Sequence, residues 1–219
     1  RKTYNQFLFE AGTNKYEGLI LKVDRRQRDY EYYDDINYRS YFTRVTYIFN
    51  AEKFSLNAAR SYSVLQAKSA GSFMVSLSPF FQRFTLKGGF NEYESSDSVF
   101  LSEISKKPSS VNLLVNGGYT YNFVFDGGEW SINPGLFMGP AIEKNLYPKE
   151  GASLKLIANY QLVLNGGYNG QNFYFHVNAS YNSNNYHFMK SKMSIHNRGI
   201  SLTCGYRMGK LKEKIFGVL

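Results

Sequence analysis

The sequence predicts an all-β protein, a transmembrane antiparallel up-and-down β-barrel of about ten strands. Three observations carry that prediction. Apolar and polar residues alternate with a period of two along runs of about 10 to 15 residues, where strands of soluble proteins usually have about 5 or 6. Short Gly-bearing turns alternate with long polar connections, the arrangement of a membrane barrel whose turns face one side and loops the other. Aromatic residues make up 17% of the 219 residues, with 19 Tyr and 18 Phe. Tyr favours sites with one apolar and one wet end, as at bilayer interfaces.

The alternation is clearest in the C-terminal half. In Phe173-Tyr174-Phe175-His176-Val177-Asn178-Ala179-Ser180-Tyr181-Asn182 the odd positions are apolar or aromatic and the even ones after Tyr174 are polar. The same alternation runs through Leu154, Leu156, Ala158, Tyr160, Leu162 and Leu164, through Leu113 to Phe125, and through Ile200 to Met208. The polar face is mostly Asn, Ser, Thr, Gln and Gly, which suits a narrow lumen filled by hydrogen-bonding side chains. These runs place strands at 4–22, 38–50, 53–62, 71–79, 80–94, 111–125, 129–142, 152–168, 171–183 and 199–208. Residues 126–128 and 168–171 read as hairpin turns, and 50–53 as a third. The long connections are 24–37, 62–70, 88–110, 143–151 and 184–198. The division at Ser78-Pro79, where the alternation changes phase, rests on Pro as a turn or bulge residue. The barrel domain spans 1–208, and 209–219 forms a basic C-terminal extension.

Composition narrows the function. No run approaches the roughly 18 apolar residues of a spanning helix. The net charge is +9, from 26 Lys+Arg and 17 Asp+Glu, but the cations are scattered and no nucleic-acid reading element accompanies them. With Cys204 alone, neither an intrachain disulfide nor an all-Cys metal site can form. The start at Arg1, without Met, reads as a mature or truncated product.

Candidate chemistry is sparse. The histidines are His176 on the polar face of a strand and His187 and His196 in the last long connection, with no metal-ligand spacing. His176 and Ser180 share a face, but four residues at roughly 3.3 Å each put them about 13 Å apart. A hydrolase would need a hydroxyl from a neighbouring strand, such as Ser201 or Ser153. The sequence therefore predicts no enzyme, no catalytic residue, no cofactor and no metal. Two segments are candidate interaction sites. One is the loop carrying Arg25, Arg26, Arg28, Tyr30, Tyr32 and Tyr33, either a solvated loop with internally paired charges or a surface for lipopolysaccharide phosphates, a glycan or a protein. The other is the tail with Lys210, Lys212, Lys214 and Phe216, either a free end or a partner contact.

Several segments carry a resemblance: Tyr16-Glu17-Gly18-Leu19-Ile20-Leu21, Tyr47 to Ser55, Lys68-Ser69-Ala70-Gly71-Ser72-Phe73, Ser95-Ser96-Asp97-Ser98 and Gly205-Tyr206-Arg207-Met208. In these the chain resembles a Bacteroidota family of outer-membrane β-barrels without assigned function. The resemblance implies an outer-membrane location and brings no catalytic residues. It also implies additional upstream strands, which would raise the count to twelve. The expected role is a non-enzymatic accessory or scaffold subunit of a larger cell-envelope complex, in contact with outer-membrane lipids including lipopolysaccharide and with other envelope proteins. The alternatives are a porin-like small-solute channel and an outer-membrane lipid hydrolase. No nucleic acid is expected as a partner.

Overall fold

A computed structural model describes residues 2–4, 6–22, 30–87, 104–147, 155–188, 191–208 and 212–214. The protein is all-β. Eight long strands form one antiparallel sheet curled into a half-barrel: β2 (Phe7–Lys22), β3 (Tyr30–Ile48), β5 (Ala70–Leu86), β6 (Ser109–Phe125), β7 (Trp130–Tyr147), β8 (Lys155–Asn169), β9 (Phe173–Phe188) and β10 (Ser191–Tyr206). Neighbours in the sheet follow chain order, and the short strand β1 (Lys2–Tyr4) flanks β2. Among the described residues β10 pairs only with β9, and β2 only with β1 and β3. The strands run 15 to 19 residues, well beyond the usual length in soluble sheets.

The two faces invert the soluble rule. On β6, Ser110, Asn112, Asn116, Thr120 and Asn122 are buried, whereas Val111, Leu113, Val115, Tyr119 and Phe123 are exposed. The same holds on β7, where Ser131, Asn133, Glu143 and Asn145 are buried and Ile132, Leu136, Met138 and Ile142 exposed. Period-two alternation puts the apolar set on the convex side and the amides and hydroxyls on the concave side.

Four expectations of strand placement are corrected. Residues 71–79 and 80–94 do not form two strands: β5 runs unbroken through Ser78-Pro79 and pairs β6 from Ala70↔Asn122 to Arg83↔Ser109. Pro79 has no N–H, so the β3–β5 ladder lapses only between Phe42↔Phe80 and Val45↔Leu77, without a register change. The Ser78 hydroxyl covers the gap by donating to the Thr43 carbonyl at 3.0 Å. Pro134 and Pro140 open matching gaps between β6 and β7. Beside Pro134 the Asn133 amide donates to the Tyr121 carbonyl at 2.9 Å. Beside Pro140, Gly139 lies so close to β6 that a Cβ would stand 1.8 Å from the Val115 carbonyl oxygen.

Residues 53–62 are not a strand. They hold a short helix, α1 (Leu56–Arg60), whose N-cap Ser55 accepts from the Ala58 N–H at 3.2 Å. Residues 184–188 and 191–198 are not a loop, because β9 and β10 stay paired from Phe173↔Tyr206 to Phe188↔Ser191. Nor is 24–37 wholly a loop, since β3 begins at Tyr30 and pairs with Lys22. In both cases pairing continues past the apolar band, where both faces of a hairpin can be polar and the alternation that marks a half-buried strand is not required. The turn at 126–128 stands as expected, with Gly127 at φ 62.

Candidate functional site

The concave side of the sheet is a lumen divided into layers. At the end bearing the tight turns, the connection between β3 and β5 folds inward as a plug comprising α1 and the short strand β4 (Val64–Gln66). Its Phe54, Leu56 and Ala59 pack with Leu8, Ile48, Met74, Phe137 and Val163. These last five are the concave-face residues of β2, β3, β5, β7 and β8 at that level, and they replace amides with a dry ring. A signal for it exists in the sequence: Phe73-Met74-Val75, Leu136-Phe137-Met138 and Leu162-Val163-Leu164 are apolar at three successive positions. Each triplet puts an apolar side chain on the otherwise polar face.

Below that ring, Tyr62 locks the plug. It is 0% exposed and sits at φ 53, a left-handed conformation costly for a side chain of its size. Three contacts hold it there. Its hydroxyl lies 3.0 Å from Ser131 Oγ, its ring stacks on His176, and its carbonyl accepts from the Arg207 guanidinium. Burial pushes the Tyr62 phenol above its ordinary pKa, with the Ser131 hydrogen bond acting the other way. Arg207 also donates to the Gly170 carbonyl at 2.5 Å and to Asn169 Oδ1 at 2.6 Å, and lies 4.3 Å over the Tyr174 ring. One guanidinium thus joins the end of β10, the β8–β9 turn and the plug, using the planar fork that distinguishes Arg from Lys.

An amide relay crosses four strands beside the plug. Asn178 donates to Asn165 Oδ1, Asn165 donates to Asn133 Oδ1 at 3.1 Å, and Asn133 donates to the Tyr121 carbonyl on β6. The register makes this possible, since Asn165 faces both Asn133 and Asn178. On the other side of the dry ring is a cavity of about 300 Å³ lined from β2, β3, β5, β6, β8, β9 and β10. Asn14 of β2 and Asn197 of β10 line this same cavity, so the curl brings both sheet edges to one space. Beyond it the buried Glu143 carboxylate accepts from Ser110 Oγ at 3.2 Å and Gln82 Nε2 at 3.3 Å.

The expected interaction residues fall differently. Arg25, Arg26 and Arg28 lie outside the described residues. Tyr30 and Tyr33 belong to β3, where they pair with Lys22 and Leu19. Tyr32 is exposed, and its ring covers Gly18, which sits at φ 82 where the β2–β3 register shifts and β3 carries the extra residues. Lys210 and Phe216 are likewise outside the described residues. Lys212 and Lys214 belong to β11 (Lys212–Lys214), which pairs in parallel with β4, so this part of the tail joins the plug. His176 faces Gly167 and Thr203 across the ladders, and Ser201 faces Asn178 instead. His187 and His196 lie on the β9–β10 hairpin, and His196 Nδ1 is 3.0 Å from the Tyr181 hydroxyl. Sequence reasoning missed Tyr62, Arg207 and the plug, because their positions follow from a chain reversal that no period reports.

No curated protein matches the chain. The family model described as "Domain of unknown function (DUF4421)" matches residues 3–208, almost all of the half-barrel with its plug, and the chain belongs to that family.

Proposed function

We propose that the protein is a non-enzymatic β-barrel of the bacterial outer membrane, with an occluded lumen, serving as an accessory or scaffold subunit of a cell-envelope complex. The observation that carries this reading is the exposed apolar band. On β7 the outward residues from Ile132 to Ile142 are framed by Trp130 at one end and Lys144 at the other. The separation is 142 − 132 = 10 residue steps, or about 33 Å at roughly 3.3 Å per residue. A strand tilted by about 40° would turn that into a band of about 25 Å, the height of the apolar belt on outer-membrane barrels.

Aromatic rings gather at the tight-turn edge of the band. Trp130 contacts Tyr168 and Phe175 at 5.2 and 5.7 Å between centroids. Phe7, Tyr47 and Phe49 form a second chain of edge contacts at 5.1 and 4.9 Å. Such rings suit the headgroup level of a bilayer. Lipid embedding requires both edges of the sheet to be covered, because unpaired backbone groups are costly in hydrocarbon. The closed barrel of ten or twelve strands belongs to this proposal. Contact with lipopolysaccharide follows from an outer-leaflet position.

The plug supports a scaffold in preference to a channel, since a dry apolar ring crosses the lumen. Purification from native envelopes in mild detergent tests the role. A stoichiometric set of co-purifying envelope proteins is expected, and a monodisperse lone barrel would overturn the scaffold assignment.

A further inference from the structure

We infer that the amide-lined cavity is a binding site for a neutral saccharide of one or two sugar units. Its volume of about 300 Å³ lies at the lower end of the range for small-molecule sites. The lining carries six amides: Asn14, Asn116, Asn159, Gln161, Asn182 and Asn197. An amide both donates and accepts, which matches a hydroxyl that does the same, and several amides around one space match several hydroxyls. The rings of Phe42, Phe80 and the stacked pair Tyr16 and Tyr38, 5.7 Å apart, add apolar surface for the C–H face of a pyranose.

Charge narrows the ligand class. Arg44 is the one charged residue among the described residues lining the cavity, and its guanidinium is 3.7 Å from the Glu10 carboxylate. That neighbour offsets the positive charge, so the site lacks the unpaired cation that a phosphate or carboxylate would select. A second observation points to an occupant. Asn116 is only 6% exposed, it lines the cavity, and its Oδ1 has no hydrogen-bond partner in the protein. A buried acceptor in that state gains a hydrogen bond from an O–H donor once its amide turns toward the cavity.

This inference stands on the cavity and does not depend on where the protein resides. Isothermal titration of the purified full chain in detergent, with maltose, lactose and cellobiose as probes and glucuronic acid as the charged comparison, tests it. Millimolar or tighter binding of at least one neutral disaccharide is expected, weakened at least about tenfold by Asn116→Leu. Asn159→Leu, two strands away in the same register row across Gly139, is expected to do the same, and far-UV circular dichroism identifies which variants keep the sheet. Absence of heat with all three disaccharides would overturn the site. So would unchanged binding in both folded variants, or tighter binding of glucuronic acid than of any neutral probe. None of these results bears on membrane residence, which detergent dependence of the wild-type chain reports separately.

Discussion

The Tyr62 ring lies flat on the His176 ring, with 4.8 Å between centroids and 2° between planes. Tyr62 belongs to the inward-folded connection and His176 to the wall of the half-barrel, so this stack fastens one to the other. Tyr62→Ala removes the stack, the Ser131 hydrogen bond and a fully buried ring together. A loss of about 3–5 kcal/mol is expected from the range for large aromatic truncations. Tyr62→Phe keeps the stack and is expected to cost about 1 kcal/mol. In planar bilayers the wild-type chain is expected to stay closed, whereas Tyr62→Ala gives intermittent openings. Closed traces from a folded Tyr62→Ala variant would show that the plug holds without this residue.

The same residue gives a pH dependence. Its folded-state pKa is raised by burial above the ordinary value of about 10. Its contribution to plug docking is therefore complete below that value and is lost as pH rises through the higher folded pKa. Amide exchange of residues 54–66 is expected to accelerate above about pH 10 before exchange in the long strands does. In Tyr62→Phe that alkaline acceleration should vanish.

Arg207 ties three segments with one side chain. Arg207→Lys retains the charge but not the fork that reaches Gly170, Tyr62 and Asn169. Losing the charge-assisted bonds is expected to destabilise the docked plug by about 2–3 kcal/mol. Limited proteolysis within 54–68 reads this directly. An unchanged cleavage rate would remove Arg207 from the clamp.

Asn133 occupies the centre of the amide relay. Asn133→Leu leaves the Asn165 amide and the Tyr121 carbonyl without their present partner, at a place where Pro134 already withholds a ladder bond. A cost of about 2–4 kcal/mol is expected from two buried groups left unsatisfied. Ser78→Ala removes the hydroxyl bridge beside Pro79 and a long bond from Arg44 Nε at 3.5 Å, and is expected to cost about 1 kcal/mol. Heat-induced unfolding in detergent ranks the two, and a larger effect at Ser78 would contradict the relay.

Strand phase and the chemistry of each face were legible because period two survives wherever one face is apolar and the other polar. Asn116, Asn165 and Asn178 could be placed on the polar face from that period alone. The plug was not legible in the same way. Residues 53–62 read as another strand, whereas in the fold Ser55 caps a helix and Phe54, Leu56, Ala58 and Ala59 are all buried. Pro79 misled because proline usually breaks a ladder, whereas here the neighbouring Ser78 hydroxyl replaces the missing bond. The Tyr62–His176 stack joins residues 114 positions apart (176 − 62), a proximity set by sheet curvature and carried by no local pattern.

The convex face can be probed with the single tryptophan, Trp130, which is 43% exposed at the edge of the apolar band. The full chain is reconstituted in bilayers whose acyl chains carry bromine at defined depths, and its fluorescence is recorded. The account predicts strong quenching, greatest with bromine close to the headgroups and weaker with bromine at the bilayer centre. Unquenched emission, from a chain that stays monomeric in buffer without detergent, would contradict a lipid-facing sheet.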